Sequence, residues 1–348
     1  MFYQCPKCKK VWQYLVEECP NCFVNLERVR NEKIKVIGVS KVNIPTLLHP
    51  DVPYFVLVLE NEKGNKWVQK SIKEYKIGQE FKIEPKKDKE VVAIWRIKYN
   101  ILEAMEKAVE LIGGLEIDQN SKILILPTLA SPKHPYFAEN TSPQFLESLI
   151  KYLLQKGAKV EKIKVAAQSF DETPIEASAQ KSQLLKVCQN FKILPLDLAK
   201  TNFIKKEKGG TSFELSEELF TNSLIINLPI LKMGEISASK NILKFLKKEN
   251  YLGLKYLQEE EKIIENLRGI LPNCLTLADA QVIQKPDKLT TFFGVILASF
   301  NLLNLDRVFF EITNQKDLPE ILKRIRIEEV PLVGRKIDEV RYNIGELL

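Results

Sequence analysis

The chain has 348 residues, of which 45% are hydrophobic and 28% charged, and its formal net charge is +7. This length predicts more than one domain, the apolar fraction is ample for packed cores, and the apolar runs are too short to span a bilayer. With no targeting or lipidation signal at either end, a cytoplasmic protein away from any membrane is expected.

The sharpest pattern comes first in the chain. Cys5 and Cys8, then Cys19 and Cys22, form two C-x-x-C pairs separated by ten residues. Each pair closes a turn that aims two thiolates at one ion, and two such turns complete a tetrahedral four-sulfur shell suited to Zn²⁺. The alternative, a pair of disulfides, needs an oxidising compartment for which no signal peptide speaks. A closed four-cysteine shell leaves no open coordination position, so the expected role is structural. Residues 1–30 are therefore read as a zinc ribbon. Cys188 and Cys274 stand far apart in apolar surroundings and read as buried core residues.

Residues 31–98 alternate in short runs broken by turns: Lys33–Val42, Tyr54–Glu60, Lys66–Lys70, the segment EFKIEP and Val91–Tyr99. Five strands with no intervening helix predict a small closed barrel of the OB type. The whole excess of positive charge lies in residues 1–100, with 19 Lys and Arg against 12 Asp and Glu, whereas the remaining residues hold 33 of each. A basic surface of this kind suits an anionic partner: a CoA diphosphate, nucleic acid or an acidic protein face.

From Ile101 the period changes to that of an α/β domain, residues 99–348. An amphipathic helix from Ile101 precedes a buried strand, Lys122–Pro127, and a helix, Pro143–Gly157, precedes the strand Lys162–Ala167. A helix over Pro174–Gln189, a strand over Phe191–Leu196 and the buried strand Ser223–Pro229 continue the alternation. Helical stretches near 239–248 and 257–268, strands Leu275–Ile283 and Phe292–Ser299, and two helices complete the chain. The expected fold is multidomain: ribbon, five-stranded barrel, then an α/β domain with a mainly parallel sheet. Ligands of such sheets bind beyond the carboxyl ends of the strands, which directs attention to the loops after Leu126, Ala167, Leu228 and Ala280.

The segment from Asn227 to Asn241 is the best site candidate. Its strand ends at Pro229, the loop delivers Lys232 to the sheet edge, and Lys240 and Asn241 fall in the first turn of a helix, a fair place for phosphate or carboxylate. Lys232, Lys240 and Asn241 are thus candidate ligand-binding residues, and the bland alternative is an ordinary loop with surface lysines. Lys232 and Asp279 are the candidates for catalysis. Asp279 ends a buried strand, where a carboxylate binds a metal, acts as a base or caps the following turn. Phosphate loops, nucleophile elbows and histidine-rich metal motifs are all absent from the sequence, so whether the protein is an enzyme stays open.

Two resemblances add to this. The spacing of the four cysteines, followed by LERVRNEKIKVIGVSKVN, PYFVLVLENEKG and KIGQEF, resembles the rubredoxin-like zinc-ribbon and OB-fold proteins known as domain of unknown function 35. That resemblance implies association with acyl-CoA or with thiolase-type or HMG-CoA-synthase-type enzymes. The stretches ILILPTL, TSPQFLESLIKYLLQKGAKV, SLIINLPILKMGEISASKNIL, LTLADA and FFGVILASFNLLNLD resemble a second family, domain of unknown function 362, some members of which carry iron–sulfur clusters. Where that family usually has Lys, Asn and His, this chain has Leu126, Thr128 and Ser142. With no cysteine-rich insert, no iron–sulfur cluster is expected in the α/β domain.

The resulting expectation is an accessory or catalytic protein of acyl-CoA-type metabolism whose α/β domain binds a small anionic ligand. The alternatives are a nucleic-acid-binding protein, with Tyr54, Phe55, Trp67 and Tyr75 interleaved among lysines as a stacking groove, and a scaffold with an inactive α/β domain.

Overall fold

The computed structural model describes residues 2–12, 18–29, 34–44, 52–62, 64–71, 74–81, 89–171, 173–272 and 274–342. The chain divides into two compact units, Met1–Glu84 and Pro85–Leu348.

In the first unit, Phe2–Gln4 lies between Val11–Trp12 and Glu27–Val29, antiparallel to both. A second antiparallel sheet follows, with Tyr54–Asn61 central between Ile34–Val42 and Lys66–Ser71. Period-two alternation sends Ile34, Val36, Phe55, Leu57, Leu59 and Trp67 to one small core. Phe81 continues the edge by donating its N–H to the carbonyl of Ile34 at 2.8 Å. The expected strand EFKIEP runs on into residues 82–85, outside the described residues.

Among the described residues this sheet does not close into a five-stranded barrel. The expected last strand, Val91–Tyr99, is a shorter strand, Val92–Arg96, and it belongs to the second unit. Its residues explain why. Val92, Ala93 and Ile94 are all fully buried, so both faces of the strand are covered, whereas a small barrel wall turns alternate residues to solvent.

The second unit is built on a nine-stranded sheet. Its strands are β1 (Val92–Arg96), β2 (Ile123–Pro127), β3 (Ile163–Ala167), β4 (Pro195–Asp197), β5 (Leu224–Leu228), β6 (Ile230–Lys232), β7 (Cys274–Gln284), β8 (Thr290–Ser299) and β9 (Leu332–Gly334). Their order is β4-β3-β2-β5-β7-β8-β1-β9, with β6 also pairing with β7. Strands β4, β3, β2, β5 and β7 run parallel, as expected. The sheet is nonetheless mixed: β8 is antiparallel to both β7 and β1, and β9 returns parallel to β1. A hairpin, Phe203–Lys208 with Thr211–Ser216, surrounds Gly209 and Gly210 and pairs apart from the sheet.

Apolar side chains cover both faces of the sheet. Ile123 and Ile125 of β2 join one core with the helices Ile101–Leu111 and Pro143–Gln155, while Leu124 and Leu126 join the other with the helix Leu302–Ile312. Each of these helices starts on a polar cap: Asn100 accepts from the N–H of Glu103, Ser142 from Phe145, and Asn301 from Leu303 and Asn304. Two expected elements shift. Pro174–Gln189 is split into Ile175–Lys181 and Leu184–Asn190 by Gln183 in the left-handed region, and the strand expected over Phe191–Leu196 starts only at Pro195.

Candidate functional site

The two cysteine turns are copies of one another. The N–H of Cys5 donates to the carbonyl of Lys10 and that of Lys9 returns to Cys5; likewise the N–H of Cys19 donates to Val24 and that of Phe23 to Cys19. Lys9 and Phe23 both take left-handed φ, at 62° and 51°, which turns each chain sharply after its second cysteine. The sulfur atoms of Cys5, Cys8, Cys19 and Cys22 all lie within 4.8 Å of one another, and the Cys8 and Cys19 sulfurs are 3.7 Å apart. A tetrahedron with metal–sulfur bonds of about 2.3 Å has edges of about 3.8 Å, so the four residues fit one thiolate-bound metal ion. Cys188 and Cys274 are buried within the second unit, and burial pushes their thiols up to about 11 and about 12.

In the second unit, the carboxyl ends of β2, β5 and β7 carry a polar edge. The loop from Thr128 to Ser142 folds over it, held by the buried side chain of Asn140. Its Oδ1 accepts from the N–H groups of Ala130 and Ser131, while its Nδ2 donates to the carbonyls of Ser131 and Lys133. The Nε2 of Gln284 donates to the carbonyl of Phe137 at 3.0 Å and pins the loop to β7. Strand β6 runs beside β7, setting Ile230 opposite Asp279 and Lys232 opposite Gln284.

Lys232 stands on this edge with Lys133, Lys288, Glu139 and Glu235 close enough to act on its charge. Burial lowers its pKa from the ordinary lysine value; the carboxylates of Glu235 and Glu139 oppose this, and the ammoniums of Lys288 and Lys133 add to it. Burial alone would raise the Glu139 carboxyl. Hydrogen bonds from Lys133 Nζ and Ser131 Oγ, each 2.6 Å, outweigh it and hold the group below its usual range. Three ammoniums against two carboxylates leave local positive charge at a strand edge where ligands bind.

The other candidates are held by partners of their own. Lys240 Nζ lies 3.2 Å from Glu260 Oε2, at the start of the helix Glu260–Arg268, and forms an ion pair there. Asn241 is buried as a cross-brace: its Nδ2 donates to the carbonyl of Leu126 at 2.9 Å and to Asn227 Oδ1 at 2.8 Å, and its Oδ1 accepts from Thr128 Oγ1 at 3.1 Å. Asn227 extends the network by donating to the carbonyl of Ala238 and to Thr276 Oγ1. Asp279 is fully buried. Its two oxygens accept from the backbone N–H groups of Ser142 and Gln281, each at 3.1 Å, and burial raises its pKa. It ties the start of the helix Pro143–Gln155 to the bulge in β7, in the manner of a turn cap.

The Pro-bracketed SPKHP loop singles out Lys133 and His134 in the sequence, but nothing there joins Lys133, Lys288 and Glu139 to Lys232, because they lie in two loops roughly a hundred and fifty residues apart. A cleft of about 180 Å³ lined by Arg268, Cys274, Asn301 and Leu302 opens at the opposite end of β7. Its walls include the cap of the helix Leu302–Ile312, and it lies apart from the lysine edge.

Residues 123–311 match the family described as Domain of unknown function (DUF362). No curated protein matches the chain. The matched region begins at residue 123, so no family match supports the resemblance expected of the first hundred residues to domain of unknown function 35. Among the described residues, no helix is long and apolar enough to cross a membrane.

Proposed function

The chain belongs to the family known as domain of unknown function 362, and on that footing we propose that its second unit binds a small anionic ligand, of the coenzyme A class, at Lys232. The carrying observation is the half-buried Lys232 ammonium among Lys133 and Lys288, with Glu139 and Glu235 short of neutralising them. A phosphate or carboxylate at this edge supplies the missing negative charge, and each charge-assisted hydrogen bond is worth about 1.5–3 kcal/mol.

The metal of the first unit is zinc in this reading, and its role is to fold the ribbon, because four sulfur ligands leave no site for substrate. The basic first unit then serves to hold a partner, a thiolase-type or HMG-CoA-synthase-type enzyme, in acyl-CoA-type metabolism. Nucleic acid is less favoured. Phe55 and Trp67 are each below a tenth exposed and fill the small core, Tyr54 is equally buried with the Lys70 ammonium 4.3 Å from its ring centroid, and Tyr75 packs against Phe81, which leaves these rings little face for base stacking.

Calorimetric titration with coenzyme A and acetyl-CoA tests the reading. The intact protein should bind, and Lys232→Ala should weaken binding about 10- to 100-fold with an unchanged thermal midpoint. Absence of binding by the intact protein, or equal binding by the variant, sinks it. Co-purification with the partner enzyme tests the role of the first unit.

A further inference from the structure

The edge at Lys232 continues into an open apolar surface. Leu231 of β6, Ile283 of β7 and Phe293 of β8 enter the core under the helix Leu302–Ile312, so their neighbours Lys232, Gln284 and Phe292 face the other side of the sheet. There Lys232 stands level with Gln284, Gln284 with Thr290, and Phe292 follows two residues along β8, opposite Val282. The loop from Thr128 to Ser142 lies over the same face, because Gln284 Nε2 reaches the carbonyl of Phe137. Three aromatic rings are left in water at this place: Phe292 is 68% exposed, Tyr136 71% and Phe137 46%. The Phe292 ring folds back over Gly294, where a Cβ would stand only 2.9 Å from it, so the glycine makes room for the ring on the strand. Tyr136 and Phe137 meet edge to face, with centroids 5.8 Å apart. Lys133, paired with Glu139, holds its ammonium 5.9 Å from the centroid of Phe137, so one loop supplies both the charged edge and the rings.

Resting on the anion site at Lys232, we propose that its ligand is a long-chain acyl compound with an anionic head, the chain lying across Phe137, Tyr136 and Phe292. Several large apolar side chains exposed together beside a charged rim mark a binding surface. The ammoniums call for negative charge and the rings for hydrocarbon, and a single amphiphile satisfies both. Coenzyme A without an acyl chain satisfies only the first. Two strand spacings and two residues separate Lys232 from Phe292, a diagonal of roughly 12 Å. An acyl chain of about ten carbons covers that span. Each methylene drawn from water onto the rings adds to binding, so affinity rises with chain length until the chain passes Phe292. The long-chain thioester of coenzyme A and the free fatty acid share this chemistry and differ in their heads.

The test titrates the intact protein calorimetrically with acetyl-CoA, dodecanoyl-CoA and dodecanoate, each below its micelle concentration, and measures sedimentation with vesicles of anionic phospholipid. Dodecanoyl-CoA should bind at least about tenfold more tightly than acetyl-CoA. Phe292→Ser, at an exposed position, should keep the thermal midpoint and reduce that ratio to about threefold or less. Binding of dodecanoate that depends on Phe292, with no binding of acetyl-CoA, supports the acyl surface and removes coenzyme A alone. Equal affinity for the two thioesters, or a ratio unchanged in Phe292→Ser, overturns the acyl surface and leaves coenzyme A at Lys232 standing. Binding of none of the three compounds overturns both, whether or not the protein sediments with the vesicles.

Discussion

Asp306 lies within the helix Leu302–Ile312, fully buried, and its two oxygens accept from the N–H groups of Ala238 and Ser239 at 3.0 and 2.9 Å. These bonds favour the carboxylate, but burial is the larger effect and raises its pKa to about 7. The sign follows directly. Between about pH 4 and pH 7 the folded chain keeps a proton here that the unfolded chain has lost, so this residue's contribution to stability falls as pH rises through that window. Asp306→Asn removes the titration, and melting curves at pH 4.5 and pH 7 should show a smaller loss of midpoint on raising the pH than the parent protein does. An unchanged pH dependence would exclude the assignment. Asn241 makes the complementary point: its residue type suited a ligand contact, but all of its polar atoms are spent on Leu126, Asn227 and Thr128. No local pattern distinguishes those two uses, because the partners lie up to 115 residues away.

At the scale of elements, local spacing is a good guide where the chain closes on itself. Cys5 to Lys10 and Cys19 to Val24 are each a single turn, so the gathering of the four cysteines is readable from their gaps. Metal analysis should find about one zinc ion per chain, and Cys8→Ser should lose it. Stripping the metal with a chelator should abolish protection of the ribbon amides in hydrogen exchange while leaving those of β2, β5 and β7 protected. Loss of protection in both units would contradict a metal role confined to the ribbon. Local spacing fails at the end of Leu184–Asn190. There Lys192 takes the left-handed position, φ 58°, usually filled by glycine, and Ile193 donates back to the carbonyl of Cys188. The expected helix end at Gln189 is within one residue of Asn190, but with no glycine to mark this turn the strand expected from Phe191 begins only at Pro195.

At the scale of the whole molecule, the decisive strand is β1, which sits between β8 and β9 rather than closing a barrel. Removing it would expose the edge of β8 and take Val92, Ala93 and Ile94 out of the two cores. A fragment of residues 85–348 should therefore fold, with a cooperative transition and circular dichroism matching the second unit. A fragment starting at residue 99, the boundary expected from the sequence, should aggregate or stay molten. Cooperative folding of the shorter fragment would show that β1 is dispensable.

The sequence by itself determined the two cysteine turns and the alternation of buried strands with amphipathic helices. Both are encoded in spacings of a few residues to one strand–helix unit. Only the tertiary structure decided that β1 pairs with Thr290–Ser299, that Lys240 turns to Glu260, and that Lys133 and Lys288 approach Lys232. Those outcomes depend on which distant segments share a sheet edge. Burial and charge then fix each side chain's partner, and the periodicity of any one segment carries no record of that choice.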